Sequence, residues 1–228
     1  MLETVLRLLT FRITRDELLN LTRKHFIAGL IGTWLVGIGR YWDDAGASLL
    51  QHTGLGSVIY IFLLSLFIWL IVKPLRVDNW HYGTVLTFIS LTSFPAIFYA
   101  IPVEQFTPLA TANRINVWFL AIVAAWRLGL LFYFLRVFTW LGVNYIITIT
   151  LMPICLIIST LTVLNLQRAV FDIMGGLRNA TPHDGAYAVL VALTVVSAVL
   201  TLPLLLVYCV AIIRRSEQRK KEKQYVEP

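Results

Sequence analysis

The chain has 228 residues, of which 58% are hydrophobic and 14% charged, with a net charge of +7 and a mean hydropathy of +0.78. A soluble domain is about 45–50% apolar and about 25% charged, so the composition excludes a soluble globular protein, a disordered chain and a coiled coil. It specifies an integral membrane protein with short tails, because no soluble stretch reaches the roughly 50 residues of a small domain.

Residues 1–25 are mixed in character. Leu2, Val5, Leu6 and Leu9 recur at helical spacing, with Glu3, Arg7 and Thr10 elsewhere on the wheel. Thr14 and Glu17 fit a capping box, in which two side chains satisfy the free amides of a helix start. A second short helix is expected from Arg15 to His25. Such amphipathic helices lie at a membrane surface or pack on cytoplasmic loops. The stretch lacks the apolar core and small-residue cleavage site of a signal peptide.

Six apolar segments follow, at 26–42, 55–75, 82–102, 115–135, 140–164 and 186–213, and a basic tail at 214–228 closes the chain. A span needs about 20 apolar residues to cross about 30 Å. The first segment is short: Phe26 to Gly39 covers about 21 Å at 1.5 Å per residue. Tyr41 and Trp42 extend it into the aromatic belt of the interface.

Charge decides how many segments cross. With six crossings and an inside N-terminus, 14 of the 19 basic residues fall on the inner side, and Arg40, Arg114, Arg168 and Arg178 on the outer. If the first segment did not cross, five residues would change sides and the count would be nine against nine. Basic residues favour the cytoplasmic side. The expected fold is therefore an all-α polytopic bundle of six transmembrane helices over 26–213, with both ends in the cytoplasm. Short loops and the missing leader point to a bacterial inner membrane. No repeat relates the segments, so the inverted halves of many transporters are not supported.

Intramembrane charge is costly and marks function. Arg127 is the one charged residue inside a segment; all twelve acids lie in loops or tails. Arg127 is expected either to reach toward the inner headgroups or to pair with loop acids, carbonyls or an anionic group such as a lipid phosphate. In the fifth segment Asn144, Thr148, Cys155, Ser159 and Thr162 fall within about 60° on a helical wheel. That polar face suits helix–helix hydrogen bonding or a lined pathway with Arg127. Ala121, Ala125 and Gly129, and Ala188 with Ala192, are spaced for close helix approach. Pro95, Pro153 and Pro203 are expected to kink their helices.

Asp43, Asp44, His52, Asp172, His183 and Asp184 would share the outer face. Acids and histidines can hold a divalent metal, but no metal-ligand spacing occurs. Solvated loop charge is the simpler reading, with Gly175–Gly176 ending a short interfacial helix. Cys155 and Cys209 sit in apolar runs and are read as unpaired thiols. Catalytic elbows, phosphate loops and dinucleotide fingerprints are absent, so no catalytic residue and no cofactor is assigned. The basic tail reads as an anchor at anionic headgroups rather than a nucleic-acid surface.

The expected role is a non-enzymatic subunit, scaffold or assembly factor of a membrane complex, with the bilayer and another membrane protein or a second copy as partners. A small channel or transporter using Arg127 is the alternative, and an outward-facing enzyme or metal site is a further one.

Overall fold

The structure, a computed structural model, describes residues 1–42, 46–170 and 185–226, with side chains for all of these except 185–186 and 219–226. The helices are α1 (Leu2–Leu9), α2 (Arg15–Leu19), α3 (Arg23–Tyr41), α4 (Leu49–His52), α5 (Leu55–Val72), α6 (Tyr82–Leu91), α7 (Leu109–Thr139), α8 (Val143–Val163) and α9 (Gly185–Val226). Three 3-10 segments, Lys73–Leu75, Phe94–Ala100 and Val103–Gln105, join them. No strand occurs among the described residues.

Five stretches are long and apolar enough to cross a membrane: Leu55–Leu75, Tyr82–Gln105, Leu109–Thr139, Val143–Val163 and Tyr187–Gln218. They cover the second to sixth expected segments. The first segment is also helical, as α3, but Arg23, Lys24, His25 and four glycines lower its hydropathy, and α3 is not among the five.

Element boundaries differ from expectation for local reasons. The helix expected from Arg15 to His25 is divided: α2 ends at Leu19, and Thr22 then caps a new helix. The third segment is not continuous. The α-helix stops at Leu91, and a 3-10 segment begins at Phe94 with Pro95 in its first turn, where the proline has no amide to continue the helical ladder. Pro153 and Pro203, by contrast, lie inside uninterrupted helices.

Helix α6 forms the axis of the bundle and is buried on every side, from Val85 through Ser93. Helix α3 runs parallel to it. Gly29 lies against Ser90, Gly32 against the Phe94 ring, and Gly39 against Ala100. At Gly29 an added Cβ would overlap the Ser90 hydroxyl, so this contact requires glycine. Helix α5 packs antiparallel to α3. Gly54, at φ +68°, sits within van der Waals reach of the Trp34 carbonyl and Ile38, a left-handed conformation that glycine adopts without strain. Helix α7 covers α6 through the stacked Phe88 and Phe134 rings, 4.1 Å apart, and covers the Phe94–Ala100 segment through Phe98 on Phe119 at 5.7 Å. Helices α8 and α9 form an antiparallel pair against this core, tied to α5 by the Tyr208 hydroxyl, which donates to the Ile71 carbonyl at 2.7 Å.

Aromatic donors close helix ends throughout. The last carbonyls of a helix have no partner within it, and in lipid no water replaces one. The indole N–H of Trp34 donates to the Thr53 carbonyl at the end of α4, that of Trp42 to Ala100, and that of Trp80 to Trp69 in the last turn of α5.

The N-terminal helices dock on α7. Val5, Leu8, Ile13 and Leu18 are buried, the Trp126 indole donates to the Leu9 carbonyl, and the Tyr133 hydroxyl donates to Ile13. Arg7 pairs with Glu17 at 3.1 Å across the hairpin. Thr14 and Glu17 form the expected capping box. The amide and hydroxyl of Thr14, together with Arg7, hold the Glu17 carboxyl below its ordinary pKa, the amide hydrogen bond contributing most.

Candidate functional site

Helix α7 places Arg127 on the face that carries Val123, Leu130 and Phe134, at spacings of four, three and four residues that share one side of a helix. Val123, Leu130 and Phe134 are all buried, and Arg127 itself is half-buried. The arginine therefore enters the seam of the bundle rather than its outer surface. Long side chains lean toward the N-terminus of their helix, and Arg127 follows that rule: its guanidinium lies 5.7 Å from the centre of the Tyr60 ring, near the start of α5. This carries the charge toward the end of the bundle where Trp42 meets Ala100, away from Arg136.

A second arginine also sits over aromatic rings. The Arg40 guanidinium lies 4.8 Å from the Tyr99 ring centre and 5.2 Å from that of Tyr41. Arg127 of α7 thus meets a phenol of α5, while Arg40 of α3 meets one phenol of its own helix and one of the 3-10 segment. Among the described residues no carboxylate forms an ion pair with Arg127. Glu104 accepts from Asn116 at 2.7 Å, three helical turns along α7 from Arg127. An arginine at the centre of a spanning helix costs about 2.5–3.5 kcal/mol on insertion scales. Cation–π contact returns about 0.5–2 kcal/mol, so the Tyr60 ring offsets only part of that cost.

The polar face of α8 is directed elsewhere. Thr148 is buried and donates to the Asn144 carbonyl at 2.9 Å, and Thr162 donates to Ile158 at 2.8 Å. Ser159 meets Thr201 of α9, hydroxyl to hydroxyl, at 2.8 Å. Cys155 is a buried free thiol and Cys209 an exposed one. These contacts join α8 to itself and to α9, while Arg127 makes its ring contact with α5. Asn144 is exposed and lines a cavity of about 600 Å³, walled by the first turn of α8 (Gly142 to Tyr145) and by Leu206, Val207, Val210 and Arg214 of α9.

Of the expected outer-face cluster, His52 ends α4 and is half-buried. Asp43, Asp44, Asp172, His183 and Asp184 lie outside the described residues, as do Gly175 and Gly176. Among the described residues no three His, Cys, Asp or Glu side chains are placed to hold a metal ion.

Sequence reasoning missed two features. The close-packed small residues are Gly29, Gly32 and Gly37 of α3, whereas Ala121, Ala125, Ala188 and Ala192 are exposed. The signal was present as glycines at three- and five-residue spacing in the first segment. The contact of Arg40 with Tyr99 had no local signal, since the two are 59 positions apart. Compared with protein-family models, curated proteins and solved structures, the chain matches none of them.

Proposed function

We propose that this chain is a non-enzymatic subunit or scaffold of a membrane complex, inserted in a bacterial inner membrane. The observation that carries the reading is the surface of α9. Only 11% of its spanning window is buried within the chain, along one seam against α8. Val195, Val199, Leu202 and Leu206 are exposed and offer an apolar helix face to the membrane. Another spanning helix packs on such a face through van der Waals fit rather than the hydrophobic effect. The test is photo-crosslinking from Val199 and Leu202 in intact membranes, followed by native mass spectrometry of the product. A stoichiometric partner or a second copy is expected; a lone monomer overturns the reading.

Six crossings with both termini in the cytoplasm belong to the same proposal, supported by the asymmetry of basic residues. Reporter fusions at each terminus test it, and a terminus reporting from the opposite side overturns it. A second reading, a small channel or transporter, draws on the interruption of α6 at Thr92–Ser93 inside the bundle, because discontinuous helices form transport sites. Arg127→Ala would then alter flux while the protein still inserted; unchanged flux of every tested ion would count against it.

A further inference from the structure

We propose that the cavity between the first turn of α8 and the last apolar turns of α9 binds one anionic phospholipid, with its phosphate at Arg214 and an acyl chain along Val207, Val210 and Leu206. The walls of the cavity divide by chemistry. Leu206, Val207, Val210 and Arg214 line it from α9, at spacings of three and four residues that share one side of a helix. The rise from Leu206 to Arg214 is about 12 Å at 1.5 Å per residue, so a cation stands at one end of an apolar strip. Asn144 and Tyr145 line the cavity from α8. Its volume of about 600 Å³ falls within the range of about 300–1,000 Å³ that holds a small ligand. Arg214 is exposed, and among the described residues no carboxylate forms an ion pair with it.

The position of the cavity selects its occupant. Leu206, Val207 and Val210 are exposed on a stretch long and apolar enough to cross a membrane, so the strip opens on the bilayer. The bond from the Tyr208 hydroxyl to the Ile71 carbonyl ties this level of α9 to the end of α5, where Lys73 follows, and α7 ends just before α8 with Arg136 in its last turn. The cavity therefore lies at the end of the bundle that gathers Lys73, Arg136, Arg214 and Arg215, and cations so placed attract anionic headgroups. Guanidinium presents a planar fork of N–H donors that matches two oxygens of a phosphate. The Asn144 amide and the Tyr145 hydroxyl are donors of the kind that serve the remaining oxygens. A free phosphate engages the cation and leaves the apolar strip unused; a phospholipid engages both. Within the bilayer the chain gains only van der Waals fit along that strip, so preference among lipids comes from the headgroup charge at Arg214.

The experiment uses the full chain, purified in a mild non-ionic detergent, with native mass spectrometry of bound lipid. Titration with phosphatidylglycerol and, separately, with phosphatidylcholine is expected to show one site that prefers the anionic lipid by about tenfold, the effect of one charge-assisted contact. Arg214→Gln is expected to abolish that preference. Arg136→Gln removes the same charge from the same end of the bundle, outside the cavity, and is expected to keep it. Val207→Trp fills the cavity and is expected to weaken binding of both lipids. Inorganic phosphate at the concentration of the lipid is expected to displace none of it, because it makes no use of the apolar strip. Equal binding of the two lipids by the wild-type protein overturns the proposal whether or not the variants fold. Equal loss of preference in Arg136→Gln and Arg214→Gln overturns it by assigning the preference to the general charge of that end. Displacement by phosphate at equal concentration makes the ligand a free anion and overturns it too, as does wild-type lipid binding by folded Val207→Trp.

Discussion

The indole N–H of Trp126 donates to the main-chain carbonyl of Leu9 at 3.0 Å, joining residues 117 positions apart. Leu9 is the last residue of α1, and its carbonyl has no partner further along that helix. Phe11 follows at φ +59° and turns its ring onto Gly129 and Tyr133. The N-terminal hairpin is thus held to the middle of α7 by one indole, one phenol and a ring contact. Trp126→Phe keeps the ring and removes the donor, at a cost of about 1 kcal/mol, the usual net value of a hydrogen bond. That corresponds to about fivefold faster tryptic cleavage at Arg12 and Arg15, if cleavage requires the hairpin to detach. Unchanged cleavage would show that the buried Leu8, Ile13 and Leu18 hold the hairpin without the indole.

Gly29 and Gly83 make a matched pair. A Cβ at Gly29 would overlap the Ser90 side chain and come within 3.0 Å of the Leu91 amide, whereas a Cβ at Gly83 meets nothing within 4 Å. Gly29→Ala is therefore expected to cost about 1–3 kcal/mol, as overpacking does. Gly83→Ala is expected to be neutral or to stabilise by up to about 1 kcal/mol, through helix propensity. Reversible unfolding in mixed detergent micelles measures both. A Gly29→Ala variant as stable as the wild type would mean that α3 does not approach α6 this closely.

These glycines also show where sequence reading stops. Five of the six apolar segments were legible as spanning helices because composition over about 20 residues is a local property. The α1 spacing and the Thr14–Glu17 box were legible for the same reason. The interruption at Thr92–Ser93 was visible only as Pro95, and its depth depends on what packs around α6. The attitude of Arg127 was not legible, because its partner ring is supplied by Tyr60, 67 positions away. The Ser159–Thr201 bond was half legible: the polar stripe on α8 marks one partner, while the register of α9 selects the other.

His25 gives the start of α3 a pH dependence with a definite sign. Its Nδ1 accepts from the Thr22 amide at 3.1 Å and lies 2.9 Å from the Thr22 hydroxyl; as the acceptor in the Thr22 amide bond it must be unprotonated. Burial, and then the charge of the chain's N-terminus, lower the His25 pKa from 6.5. A lowered histidine pKa means that the detached state takes up a proton which the capped state refuses. The stabilisation is complete above the unfolded value and declines as pH falls below 6.5 toward the folded value. Glu17 acts in the same direction at lower pH, since its lowered pKa gives stability above 4.5 that is lost as pH falls through the folded value. Hydrogen exchange of a peptide spanning Thr22, corrected for intrinsic rates, should therefore speed up as pH falls below 6.5 toward the lowered folded value. His25→Gln preserves an acceptor at the third helical position and does not titrate, so its exchange should stay flat across that window. The same acid-induced rise in His25→Gln would assign the pH dependence to a group other than His25.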